Sequence, residues 1–172
     1  MLRFISGFIA AIVVVLLAGY LWLPLGFVDS RADAPGNALE RSVAMPALDA
    51  SVRRHASQLK NPVAPTEENL AAGMKIYQKN CAGCHGDIHQ PHGALADSLN
   101  PRAPQFLEDA PDMPEYQNYY IIQHGIRLSA MPAFRVSLKG EEIWQVTTFL
   151  SHMDKLPPQV SEQWKAMAAA SH

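Results

Sequence analysis

Cys81 and Cys84 stand three positions apart and are followed at once by a histidine, in the run Cys81-Ala82-Gly83-Cys84-His85. They are the only two cysteines in the chain, so a scattered disulfide framework is excluded and their work is local. On a tight helical turn, two thiols at this spacing face one side, where each can reach one vinyl group of the same porphyrin edge. The adjacent imidazole can then approach the iron from one face. Ala82 and Gly83 are small enough to let a macrocycle edge lie against the backbone. The run therefore reads as the attachment site of one covalent haem c, with iron as its metal.

Other uses of the pair fit less well. A thioredoxin-like dithiol needs a strand before it, and here the preceding pattern is helical. A zinc site could recruit His89 and His92, but only four residues separate Cys84 from His89, against about 12–15 in such fingers.

The surrounding pattern is helical throughout. Thr66-Glu67-Glu68 suits a helix start, a threonine cap followed by acidic residues in the first turn. Leu70, Met74, Tyr77 and Cys81 then recur at helical intervals and lead straight into the motif. A second helix is expected over about Tyr116 to His124, stopped by Gly125, and a third over about Gly140 to Met153. Pro157-Pro158 ends the third, and Ser161 to Ala170 reads as a short terminal helix or a frayed tail. No internal repeat, phosphate-binding glycine loop or alternating strand pattern is present, so the fold class is all-α.

A haem held by one histidine leaves its opposite face open. Methionine there raises the reduction potential. Of seven methionines, Met113 and Met131 lie in central loops and precede a proline, which keeps them in extended backbone. Met131, in Ser129-Ala130-Met131-Pro132-Ala133-Phe134, follows the second helix and is the favoured distal ligand. Met113 is expected to pack as core, and His124 is the other alternative. His89 is one helical turn past His85, too close to cross to the opposite face.

These features resemble the small single-haem cytochrome c family in its membrane-anchored bacterial form. The likeness covers roughly Thr66 to Pro157. It rests on Gly73, Tyr77 and Cys81-Ala82-Gly83-Cys84-His85-Gly86, then Tyr120 to Arg127, then Met131-Pro132-Ala133-Phe134, then Glu141 to Leu150. The resemblance implies a single haem domain with helices packed around the haem. Its first and last helices would cross near Gly73, approached by Trp144 or Phe149. It implies Cys81 and Cys84 as thioether sites, His85 as proximal ligand and Met131 as distal ligand. Asn100-Pro101-Arg102-Ala103-Pro104-Gln105 resembles the family's proline segment beside the haem, where a carbonyl accepts a hydrogen bond from the proximal imidazole. Arg102 is a candidate partner for a haem propionate, equally a solvated loop charge. His89 and His92 depart from the shortest family members and read as surface residues.

Upstream, no charge occurs from Phe4 to Val28, a run long enough to span a bilayer. Arg3 before it and Asp29 after it place the amino terminus in the cytoplasm and the remainder outside. A cleaved signal peptide is the competing reading, through Ala32-Asp33-Ala34, although Pro35 is a poor first residue and the apolar run is long for that role. Both readings export the domain. From Asp29 to Pro65 the chain carries Pro35-Gly36, Pro46, Pro62 and Pro65, a connector in which Leu48, Val52, Ala56 and Leu59 mark a short amphipathic helix after Pro46. The expected divisions are an anchor at 1–28, a linker at 29–65, a haem domain at 66–157 and a tail at 158–172.

With both axial positions filled, the chemistry left is one-electron exchange. The expected role is therefore a carrier rather than an enzyme, in the cytoplasmic membrane of a bacterium with its haem domain in the periplasm. It would act alone or as the cytochrome subunit of a membrane respiratory or dehydrogenase complex. The alternative is a haem peroxidase or a redox or gas sensor with a displaceable methionine. A net charge of −2 supplies no basic stripe and argues against nucleic acid. Thr66 to Lys155 holds seven basic against eleven acidic residues, a balance of −4, which suits a partner with a basic face: a membrane redox complex or another electron-transfer protein.

Overall fold

The computed structural model describes residues 2–27, 29–34, 36 and 38–169. Met1, Val28 at the end of the apolar run, Pro35 of the connector and Ala170, the last residue of the segment read as a terminal helix or tail, lie outside the described residues. The chain forms two compact units, 1–34 and 35–172. No strand occurs among the described residues.

The first unit is a single long helix, α1, Leu2–Trp22, extended by a 3-10 turn at Leu23–Leu25. Its side chains from Arg3 onward are exposed. The run Arg3–Leu25 is long and apolar enough to cross a membrane, and a signal sequence meets the same description.

The second unit begins with α2, Ala38–His55, which differs from expectation in starting eight residues before Pro46 and passing through it. A proline gives up one helix hydrogen bond. Residues 38–47 are exposed, so water can take the carbonyl that Pro46 leaves unpaired. Beyond the proline, α2 turns Val52 inward, and Ala56 just past its end is buried as well. The connector after it is fastened rather than free. Asn61 Nδ2 donates to Thr148 Oγ1 at 2.8 Å, and Asn61 Oδ1 accepts from the Val63 N–H at 2.9 Å.

The core is built by α3 (Glu67–Asn80), α5 (Glu115–His124), α6 (Gly140–Leu150) and α7 (Pro158–Ala169); α4 (Ala82–His85) is the short turn that carries the motif. Thr66 Oγ1 caps α3 by accepting from the Asn69 N–H at 3.2 Å. Leu70, Met74 and Tyr77 are almost fully buried, and Met74 and Tyr77 share one core cluster with Ile143, Val146 and Phe149 of α6. The two helices cross at Gly73. A Cβ built there would lie 2.8 Å from Phe149 Cβ and would run into the Gln145 carbonyl. Trp144 looks the other way and stacks on Tyr119 of α5, with ring centroids 3.9 Å apart.

Helix α6 stops at Leu150, three residues short of the sequence reading. Thr147, Thr148, Ser151 and His152 each turn a side chain back onto the carbonyl four residues earlier, which competes with continued α-helix and hands over to a 3-10 turn at Met153–Lys155. Of the two readings of the last segment, a short helix or a frayed tail, the helix is the one that forms, as α7. Val160, Trp164 and Ala168 point inward at four-residue spacing, each at most 1% exposed.

Candidate haem site

The motif sits where α3 breaks. The Cys81 N–H still bonds the Tyr77 carbonyl, and the Cys81 carbonyl then accepts from the N–H groups of both Cys84 and His85, at 3.0 and 2.9 Å. This tight turn places Cys81, Cys84 and His85 at spacings of three and four on one face. Gly86, at φ +82°, turns the chain out; a Cβ on it would strike the Pro91 carbonyl.

Both cysteines are half-buried free thiols. Burial, with a smaller contribution from Cys84, pushes the Cys81 thiol up to about 12. His85 is only 8% exposed and its ring stacks on Phe106, with centroids 4.3 Å apart and planes 2° from parallel. Its Nδ1 lies 2.9 Å from the Pro104 carbonyl, which can only accept, so Nδ1 carries the proton. Burial outweighs that bond and lowers the His85 pKa, which keeps the ring neutral. The unprotonated Nε2 is thus the ring nitrogen left with a free lone pair. The carbonyl expected from the Asn100–Gln105 segment is that of Pro104.

This donor set fits haem c. Two thiols outside any disulfide, a neutral imidazole in a defined tautomer and open space around Gly83, where an added Cβ meets nothing within 4 Å, are what covalent attachment needs. Cys81, Ile88, Phe106, Leu107, Met131 and Phe134 are half-buried and pack against the apolar core.

Met131 is one of these half-buried residues and stands in a braced loop. Its carbonyl accepts from the Ile126 N–H at 3.1 Å, and its N–H donates to Ser129 Oγ at 3.1 Å. Gly125, at φ +66°, lets the loop fold back; a Cβ there would be 2.6 Å from the Met131 carbonyl oxygen. Met113 is 36% exposed rather than core, because it precedes α5 at the surface, where its carbonyl accepts from Asn118 Nδ2 at 3.2 Å. His124 is exposed and leans on Tyr120.

Arg102 is exposed and pairs with Asp97 at 3.1 Å, and His92 reaches the same carboxylate at 3.2 Å. His89 is exposed, yet its Nε2 bonds the Lys165 carbonyl on α7 at 2.8 Å. Both histidines are thereby engaged away from the thiols. Among the described residues, no three His, Cys, Asp or Glu side chains gather as a metal site, and the zinc reading finds no support.

Sequence reasoning passed over two residues here. Phe106 flanks the imidazole, and Gln105 ties the loop together, accepting from the Gly93 N–H at 2.7 Å while donating to the Ala103 and Cys84 carbonyls. Neither has a periodic signal; only the place of Gln105 at the end of the proline segment, with Phe106 next to it, could have pointed to them.

Residues 68–150 match the family model described as cytochrome c oxidase, cbb3-type, subunit III. Cytochrome c6 of Synechococcus elongatus is 32% identical over 85 residues, 48% of this chain and 87% of that protein. Quinohemoprotein alcohol dehydrogenase ADH IIB of Pseudomonas putida is 26% identical over 93 residues, 54% of this chain but 12% of the enzyme. A chain of a Kuenenia stuttgartiensis reducing HAO-like protein complex aligns with TM-score 0.45 and 21% identity, covering 67% of this chain and 60% of that one. The likeness to cytochrome c6 spans nearly the whole of that protein, and the segment matched by the family model runs over the helices that frame the cysteine pair. The chain belongs to the c-type cytochromes, and its all-helical domain carries covalent haem c.

Proposed function

We propose that the chain is a one-electron carrier in which Cys81 and Cys84 form the thioethers, His85 is the proximal ligand and Met131 the distal one. The observation that carries this reading is His85: a buried neutral ring, its Nδ1 committed to the Pro104 carbonyl, directly after the cysteine pair. Haem c, when bound, supplies the ferrous/ferric couple. The protein holds the imidazole in one tautomer, bonds the macrocycle edge and presents a thioether from the loop braced by Ile126 and Ser129. A methionine ligand favours ferrous iron and raises the potential, and a filled sixth position excludes peroxide and oxygen. Arg102, held by Asp97, is assigned to a haem propionate.

The domain works outside the cytoplasmic membrane of a bacterium, with α1 as its anchor. The length and exposure of α1 support that placement. Its partner is a membrane redox complex or another electron-transfer protein, and the domain is the cytochrome subunit of an oxidoreductase or a carrier beside one. Likeness to a cbb3-type oxidase subunit and to part of an alcohol dehydrogenase supports that range.

The test is expression of the full chain in a bacterium that matures c-type haem. Haem staining of washed membranes after denaturing electrophoresis should label the chain, and Cys81→Ser, Cys84→Ser double substitution should abolish the label. The oxidised protein should show the weak red absorption band of sulfur bonded to ferric iron, lost in Met131→Ala and kept in Met113→Ala. A chain without covalent haem overturns the carrier reading. A band that survives Met131→Ala overturns the distal ligand, and peroxide turnover by the unaltered protein favours the enzyme alternative.

A further inference from the structure

Helix α7 lies beyond the matched segment 68–150, yet it reaches the haem-attachment turn through a chain of hydrogen bonds. Trp164 Nε1 donates to Gln78 Oε1 at 2.9 Å. An indole N–H can only donate, so it fixes which end of the Gln78 amide is oxygen. The other end, Nε2, then donates to Asp87 Oδ2 at 2.9 Å. The second carboxylate oxygen of Asp87 accepts from the N–H groups of His89 and Gln90, both at 2.8 Å, and the Asp87 N–H bonds the Gln90 carbonyl. This closes the turn two residues after His85. Asp87 is only 3% exposed, so each of those bonds is made in an interior where loss of a partner is costly. His89 adds a second tie from the same turn to α7, through the Lys165 carbonyl.

We infer that α7 is a positioning element for the haem site: the relay Trp164–Gln78–Asp87 holds the turn behind His85, and so governs axial ligation and reduction potential. The inference rests on the haem reading above. Its mechanism is geometric. The His85 carbonyl is pinned on one side by the Phe106 N–H at 3.1 Å, and Asp87 anchors the other side of the same backbone. If the relay breaks, the ring can tilt relative to Phe106, which would move Nε2, the atom that would hold the iron. Simple packing of α7 predicts something different: a loss of global stability with ligation and potential untouched.

The relay can be reversed as well as broken. Gln78→Glu keeps an acceptor for Trp164 but sets a carboxylate against Asp87. Adding Asp87→Asn restores the link, because position 87 then donates to position 78 while its oxygen still accepts from the turn. The double variant has the net charge of the parent, which separates geometry from charge. Full-length haem-loaded protein in detergent would be measured for midpoint potential and for the urea midpoint at which the sulfur-to-iron band disappears. Expected are a shifted potential and a lower urea midpoint in Gln78→Glu, the same to a smaller extent in Trp164→Phe, and recovery of both readouts in Gln78→Glu/Asp87→Asn. Failure of Gln78→Glu to retain haem, repaired by the second substitution, counts equally in favour. The inference is overturned if the double variant is no better than Gln78→Glu, or if Trp164→Phe melts earlier with potential and band unchanged. A parent chain lacking covalent haem sinks the haem reading itself and is distinguished by the staining control.

Discussion

Gly73 of α3 lies directly on the Gln145 carbonyl of α6, with Phe149 Cβ beside it at 2.8 Å from where a side chain would begin. The crossing of these helices puts the start of α4 at a fixed place relative to the core. Gly73 and Phe149 are both buried, so neither can yield without moving its whole helix.

Gly73→Ala should therefore destabilise the domain by about 1–3 kcal/mol through overpacking. Urea denaturation of the haem-loaded protein measures it. An unchanged midpoint would mean that the helices separate easily and that the crossing is not close in solution.

A second prediction concerns Gln105, the residue that ties three loop segments together. Gly93 is buried against Cys84, and its N–H depends on Gln105 Oε1 at 2.7 Å. Gln105→Leu keeps the bulk and removes that acceptor, at a cost of about 1–3 kcal/mol for an unpaired buried donor. The urea midpoint should fall accordingly; a change within ±0.3 M of nothing would show that water replaces the amide.

The contrast between these two residues explains what could be read in advance. Gly73 belongs to a helical pattern ending in Cys81, and regular spacing makes such positions visible. The same holds for α5 and α6, whose expected starts lie within one residue of the observed ones. Gln105, Gln78 and Asp87 are polar, and they earn their burial by hydrogen bonds between distant segments, which no periodicity announces. Helix α7 is a different case. Val160, Trp164 and Ala168 do carry the spacing, but Pro157-Pro158 looks like a terminus when it in fact opens a new helix at its first position. Pro46 misled in the opposite direction, since an exposed helix can absorb a proline that a buried one cannot.

Tyr77 gives a pH prediction. Its hydroxyl donates to the Gly86 carbonyl at 2.6 Å, and burial, reinforced by Cys81 and Asp87, raises its pKa well above the usual 10.0. The folded protein keeps this proton when the unfolded chain releases it. Stability from this source is therefore complete below pH 10 and declines as pH rises past that value. Tyr77→Phe should cost about 1–3 kcal/mol at pH 7, by leaving a buried carbonyl unpaired. The gap to the parent should narrow from pH 10 upward, as read from urea midpoints at pH 7, 9, 10 and 11. A constant gap would show that Tyr77 ionises normally.

The loop that presents Met131 carries one strained position. Leu128 has φ +58° and is 92% exposed, a branched apolar side chain in left-handed backbone with almost no burial to offset it. The strain is held in place by Ile126, whose N–H bonds the Met131 carbonyl and whose carbonyl accepts from Ser129. Asparagine tolerates this backbone better than leucine. Leu128→Asn should therefore raise stability by about 0.5–1 kcal/mol, a gain set by relief of part of the left-handed penalty. The sulfur-to-iron band should persist to higher urea, because the same loop carries Met131, the proposed ligand. A fall in stability instead would mean that Leu128 packs on something in the folded protein, and that its conformation is supported by contact rather than imposed by the Ile126–Met131 pair.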